Sequence, residues 1–369
     1  MKKKFLASLM AMVMVFGLAA CGGSSDPATT DDSATTEGTS GKIGVSMPTQ
    51  SLQRWNQDGS NMKAQLEAAG YEVDLQYAGD NDIPTQVSQI ENMIAGGCDV
   101  LVVAAIDGSA LTEALKGASE QNIPVIAYDR LIMNSDAVSY YATFDNYKVG
   151  QMQGEYIRDA LDLDNAEGPF NIELVTGAPD DNNVNFFFGG AMDVLQPYID
   201  SGKLVVPSGQ TEKAQCATAN WSTEESQRRF ENIISSVGYG PEGVKLDAVL
   251  CSNDSTSYGV QNALQAAGYT AENMPIITGQ DCDKPNVKNI VAGLQSMSVF
   301  KDTRTLAEKV VGMVDAIMKG SEPEINDTET YDNGVGVVPS YLCDPVIVTV
   351  DNYQEMLIDS GYYTEADIA

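Results

Sequence analysis

Charged or amide side chains follow short apolar runs at seven places along the chain. Asp107 follows residues 102–106, Asp129-Arg130 follows 125–128, and Asp145-Asn146 follows 141–144. Asp181-Asn182-Asn183 lies just past 174–175, Asn253-Asp254 follows 249–252, Asp281 follows 276–280, and Lys301 follows 297–300. Carboxylates accept hydrogen bonds, guanidinium and ammonium groups donate them, and amides do both. Bonds with a charged partner are stronger than neutral ones. Such a set suits a small neutral ligand whose hydroxyls both donate and accept, as those of a sugar do. The C–H faces of a sugar ring need flat aromatic partners, and Trp55 beside Arg54 and Phe186-Phe187-Phe188 just past Asn183 are candidates. Any single Asp or Asn at such a place is explained equally well as a helix N-cap. Asp129-Arg130 is the most informative pair, because a cap needs no adjacent arginine. Removing Asp129 is expected to take away an acceptor and leave Arg130 unpaired.

These residues need a scaffold that brings strand ends together. From Lys42 onward, apolar runs of four to seven residues alternate with amphipathic, helix-length segments. Continuous apolar strands alternating with helices predict parallel sheets covered on both faces. The predicted strands, about ten, are many for one open sheet, so two similar sheets side by side are expected. Leu66-Glu67-Ala68-Ala69-Gly70-Tyr71 and Leu264-Gln265-Ala266-Ala267-Gly268-Tyr269 echo each other, each a helix end with a glycine stop. In open parallel sheets, ligands bind beyond the carboxyl ends of the strands, where the polar residues fall.

Composition removes several function classes. The chain contains no histidine, which excludes His-based triads, general bases and metal ligands. Its formal net charge of −31 opposes binding to nucleic acid phosphates. No glycine-rich G-x-G-x-x-G turn follows a strand, which argues against a dinucleotide enzyme. The segment Asp162-Leu163-Asp164-Asn165 lacks the twelve-residue pattern of a calcium loop. No catalytic residue, metal ligand or cofactor is therefore expected.

The first residues carry their own signal. Lys2-Lys3-Lys4 precedes an apolar run over 5–20, and Leu18-Ala19-Ala20 leads into Cys21. A charged start, a short apolar stretch and small residues before a cysteine predict a lipoprotein signal over 1–20, with Cys21 the acylated residue. Residues 21–41 are mostly Ser, Thr, Asp, Gly and Ala, and read as a flexible tether. No later stretch is apolar enough to cross a bilayer. The expected location is extracytoplasmic, anchored by lipid to the cell membrane. Cys98, Cys216, Cys251, Cys282 and Cys343 remain, either as buried free thiols or with one or two disulfides among them.

The body from Lys42 to about Tyr353 resembles the type I periplasmic sugar-binding proteins of ABC transporters, in particular the xylose-binding and multiple-aldose-binding branch. The motifs that carry the resemblance are Gln53-Arg54-Trp55, Ser88-Gln89-Ile90-Glu91-Asn92-Met93, Ala127-Tyr128-Asp129-Arg130, Thr143-Phe144-Asp145-Asn146, Asp181-Asn182-Asn183, Ser252-Asn253-Asp254, Gly279-Gln280-Asp281 and Val299-Phe300-Lys301. The resemblance implies two Rossmann-like α/β lobes joined by a three-segment hinge and closing on one sugar. It implies hydroxyl contacts from Arg54, Asp129, Arg130, Asp181, Asn183, Asn253, Asp281 and Lys301, with Trp55 stacking. Asp107 and Asp145 then become structural. Cys282, and Cys216 with the loop to Trp221, match no motif of the family.

The expected lobes are 42–144 plus 297–332, and 145–296 plus 333–369. The expected function is capture of a monosaccharide, an aldose such as xylose, glucose, galactose or arabinose, by a monomer that delivers it to an ABC transporter permease. An alternative is a sensor that presents the sugar to a chemoreceptor or kinase. A glycosidase is the remaining alternative, disfavoured because acids interleaved with Arg, Lys and Asn look like a binding cage rather than a catalytic pair.

Overall fold

The computed structural model describes residues 41–369. The expected signal, Cys21 and all but the last residue of the tether lie outside the described residues. Among the described residues, twelve strands run in chain order: β1 (Lys42–Met47), β2 (Glu72–Tyr77), β3 (Val100–Val103), β4 (Val125–Tyr128), β5 (Val138–Phe144), β6 (Phe170–Val175), β7 (Leu204–Val205), β8 (Ala248–Cys251), β9 (Ile276–Ile277), β10 (Ser298–Phe300), β11 (Ser340–Cys343) and β12 (Val346–Val348).

They form two main parallel sheets. The first has the order β11-β5-β4-β3-β1-β2 and the second β7-β6-β8-β9. Burial explains the apolar runs: every residue of β3, β4 and β8 is buried. Helices cover both faces of each sheet. In the first lobe, Ile43, Val45, Val102 and Tyr128 pack on one face with Met62, Leu66, Val310 and Val314. Leu101, Val103 and Ala127 pack on the other with Ile90, Leu111 and Leu115. The second lobe repeats this scheme, with Phe230 and Val260 on one face and Leu195 and Ile157 on the other.

The chain passes between lobes three times: after β5, between β10 and the helix Thr303–Met318, and between β11 and β12. Strands β10 and β12 pair antiparallel across this region.

Two lobe boundaries differ from expectation. Ser340–Cys343, expected with the second lobe, pairs along β5 and completes the first sheet. Residues 298–300, expected with the first lobe, lie beside the second, because Val299 bridges Gln280 in parallel. Both shifts arise from long-range pairing, which local hydrophobic patterning does not encode. The five described cysteines are all free and buried, so the thiol alternative holds and no disulfide forms among them.

Candidate functional site

Strand ends and helix starts converge on one cavity between the lobes, about 420 Å³ of empty space that includes its opening to solvent. The first lobe supplies Arg54 and Trp55 from the start of the helix Gln53–Ala68, and Asp129 and Arg130 from the end of β4. The second lobe supplies Asp181 and Asn183 beyond β6, Asn253 beyond β8, and Asp281 beyond β9. Lys301 follows β10 at the crossing between the lobes. All nine residues expected at the site therefore line one cavity.

Arg54 is the electrostatic centre. Its Nε donates to Asp58 Oδ2 at 2.7 Å, its Nη2 to Asp129 Oδ1 at 2.6 Å, and its Nη1 to Asp281 Oδ1 at 3.1 Å. One guanidinium thus joins two first-lobe carboxylates to one from the second. Burial opposes the Arg54 charge, but Asp129, Asp58 and Asp281 outweigh it and hold the guanidinium above its ordinary range. Burial also raises the Asp129 carboxyl, yet Arg54 and Lys301 bring it below the usual carboxylate range. Asp58 is more deeply enclosed, and burial, only partly offset by Arg54, pushes it up to about 6. Tyr128 Oη also donates to Asp58.

The expected partnership of Asp129 with Arg130 is not what forms. Asp129 pairs with Arg54, whereas Arg130 places its Nε 3.1 Å from Asp181 Oδ2 and donates Nη1 to the carbonyls of Ala105 and Ile106 at 3.1 Å each. Adjacent residues at this bend point to different partners because Asp129 adopts a left-handed backbone, φ 58°. Its carbonyl accepts from Tyr141 Oη at 2.7 Å, Thr143 Oγ1 at 3.1 Å and Asn183 Nδ2 at 2.7 Å, which holds the strained turn in place.

Both tryptophans of the chain line the cavity. The Trp55 ring lies 5.4 Å from the Arg54 guanidinium and 5.0 Å from that of Arg130. Trp221 comes from the second lobe and donates its indole N–H to Asp181 Oδ2 at 3.2 Å. Space for this ring depends on Gly177, where an added Cβ would lie 2.1 Å from the indole. Of the phenylalanine triplet, Phe187 lines the cavity, Phe186 stacks on Tyr331, and Phe188 packs in the second-lobe core. Lys301 Nζ sits 2.9 Å from Asp281 Oδ1 and 5.7 Å from the Phe187 ring centre.

Asp107 and Asp145 lie outside the lining and do local work. Asp107 accepts from the backbone N–H of Ser109, and Asp145 caps the helix Asn146–Ala160 through the N–H of Lys148. Asn253 has both roles: its Oδ1 caps the helix Asp254–Ala266 through the Thr256 N–H at 3.0 Å while the residue lines the cavity.

Sequence reasoning missed Trp221, Asp58, Asp283, Gln280 and Ser255. Asp58 had a usable signal, four residues past Arg54 on one helix face. Trp221 had none, because it lies in an irregular turn with φ 55°.

A family model described as periplasmic binding protein domain matches residues 43–322. The chain is 53% identical over 325 residues to the multiple sugar-binding periplasmic receptor ChvE of Rhizobium radiobacter, covering 88% of this chain and 91% of that one. It is 36% identical to the D-xylose-binding periplasmic protein of Escherichia coli K12, covering 89% and 92%. Among solved structures, it is similar to an ABC transporter solute-binding protein from Clostridium phytofermentans with bound β-D-glucose. That match has 64% identity, a TM-score of 0.86, and covers 89% of this chain and all of the other. The two-sheet architecture, the ordered strand-end residues and these matches along nearly the whole body agree: the chain belongs to the periplasmic binding protein domain family and has its type I fold.

Proposed function

We propose that the protein captures a single aldose in the cavity between its lobes and delivers it to an ABC importer. The observation that carries this reading is the composition of the cavity wall. Three cations, four carboxylates and three amides from both lobes surround a space bordered by Trp55 and Trp221. Alternating donors and acceptors match hydroxyls around a ring, and the indoles match its apolar faces. Relatives described as binding several sugars, and a glucose-bound structure at 64% identity, support the same ligand class.

Because the wall draws on both lobes, ligand stabilises the closed arrangement and shifts the open–closed equilibrium towards it. Lipidation at Cys21 would hold this monomeric trap outside the cytoplasm near its permease, and the Ser- and Thr-rich residues after it would supply the reach. Presentation of the same closed form to a chemoreceptor or sensor kinase is compatible with this role. No catalysis is proposed, and glycoside hydrolysis should stay at background.

A thermal-shift and calorimetric panel of D-glucose, D-xylose, D-galactose and L-arabinose tests the proposal. A ligand that binds only the folded state raises the unfolding temperature. At least one aldose should do so, with one-to-one stoichiometry. Absence of binding by every aldose of the panel would refute the reading.

A further inference from the structure

Asp283 is a buried cavity-lining residue, 8% exposed, that the motifs did not single out. It stands at the N-cap position of the helix Lys284–Val291, yet its side chain makes no capping bond. An Asp at that position ordinarily accepts from the first-turn amides. Here Oδ1 is buried with no hydrogen-bond partner in the protein. An unpaired buried polar atom is costly, and one at the wall of a ligand cavity points to the ligand as its partner.

The surroundings decide its protonation. Asp254, fully buried at the start of the preceding helix Asp254–Ala266, faces donors on both oxygens. Gln295 Nε2 donates to its Oδ1 and the Asp283 N–H to its Oδ2, each at 2.9 Å, and Ser298 Oγ lies 2.9 Å from both oxygens. The Gln295 amide is oriented by Gln261 and Asn286, which both donate to its Oε1. Ser298 Oγ already accepts from the Cys282 N–H, so its own hydrogen is directed to Asp254. Despite these donors, burial and the neighbouring Asp283 push the Asp254 carboxyl well up, so the two acids titrate as a pair.

Asp281 is also a carboxylate, with Oδ1 bonded to Arg54 and Lys301. Lys284, the residue after Asp283, is committed elsewhere, its Nζ 2.5 Å from Asp367 Oδ1. Arg54 and Lys301 act against the rise of Asp283, while Cys282 and Tyr363 are raised by burial and stay neutral. Asp283 therefore lies near the Asp281 carboxylate with no donor on Oδ1.

We infer that Asp283 contacts the ligand as a neutral carboxylic acid, donating its proton to a sugar oxygen, so that capture is linked to the protonation of this group. Burial, with the Asp281 charge behind it, pushes its carboxyl up to about 7, within the range where the linkage is measurable. The inference rests on the sugar-binding reading above.

Calorimetry with D-glucose and D-xylose from pH 5.5 to 9 tests it. Affinity should be level below about pH 7 and fall up to tenfold per unit above it, with proton uptake at pH 8 when two buffers of different ionisation enthalpy are compared. Asp283→Asn keeps a donor without titrating, so its profile should be flat. Asp283→Ala should bind more weakly than Asp283→Asn at pH 6. A level wild-type profile, or an Asp283→Asn profile that keeps the slope, overturns the inference while sugar binding stands. Failure of both sugars to bind at every pH overturns the sugar-binding reading and this inference with it.

Discussion

The two lobes supply the same cavity by different means. The first lobe contributes a charge network fixed to a six-stranded sheet, in which Arg54 holds Asp58 and Asp129 within hydrogen-bond distance and Tyr128 reaches Asp58 from β4. The second lobe draws on four strands, two of them two residues long. Several of its site residues lie on turns, Asp281 and Trp221 in left-handed backbone as Asp129 is in the first lobe, while Asn183 begins a helix. The contrast separates two tasks. A preorganised anchor loses stability and binding together when damaged, whereas groups on turns affect binding with less effect on the fold.

Arg54→Met gives the largest expected effect. It leaves buried Asp58 and Asp129 without their main cation, and breaking a buried pair costs about 3–5 kcal/mol. The unfolding free energy measured in denaturant should fall by that amount, and sugar affinity should collapse. Asp129→Ala should cost about 2–4 kcal/mol of binding by calorimetry, through loss of an acceptor and of the Arg54 pair. A loss of affinity with no change in stability would mean that the first lobe is no more preorganised than the second.

The ligand-free protein should also lose stability as pH rises. The folded form of Asp58 holds its proton to about pH 6, whereas an unfolded aspartate releases it near 4. A carboxyl raised in this way contributes stability at low pH that is lost between about pH 4 and 6, about 3 kcal/mol for a shift near two units. Chemical unfolding at pH 4.5 and 7, compared between wild type and Asp58→Asn, should show a smaller decline in the variant.

On the second lobe, Trp221→Phe removes the indole donor to Asp181 and should weaken binding by about 0.5–1.5 kcal/mol with little change in midpoint. Asp145→Ala should do the reverse on a smaller scale, costing about 1 kcal/mol of stability for the lost cap and leaving affinity unchanged. A Trp221→Phe protein as destabilised as Arg54→Met would erase the contrast.

The first lobe was also the more legible in sequence. Its central strands β3 and β4 are continuously apolar, and Arg54, Trp55, Asp129 and Arg130 stand at strand ends or at the first helix. The alternation pattern identified parallel sheets, but not that Ser340–Cys343 returns to pair with β5, because that partner is nearly two hundred residues away. Phe187 could not be told from its neighbours, since the facing residue depends on how the helix Asn183–Asp200 docks. Asp283 looked like any aspartate before a helix, and only its missing capping bond sets it apart.

One arrangement has a practical consequence. The chain contains two tryptophans, one from each lobe, and both face the same cavity. The tryptophan emission of the protein therefore originates at the cleft, with no indole elsewhere. Trp55 lies against two guanidinium groups and Trp221 against a carboxylate, so a ligand entering between them changes the polarity and packing around both indoles. The unlabelled protein is in this sense its own optical sensor, and stopped-flow mixing can follow lobe closure without a dye.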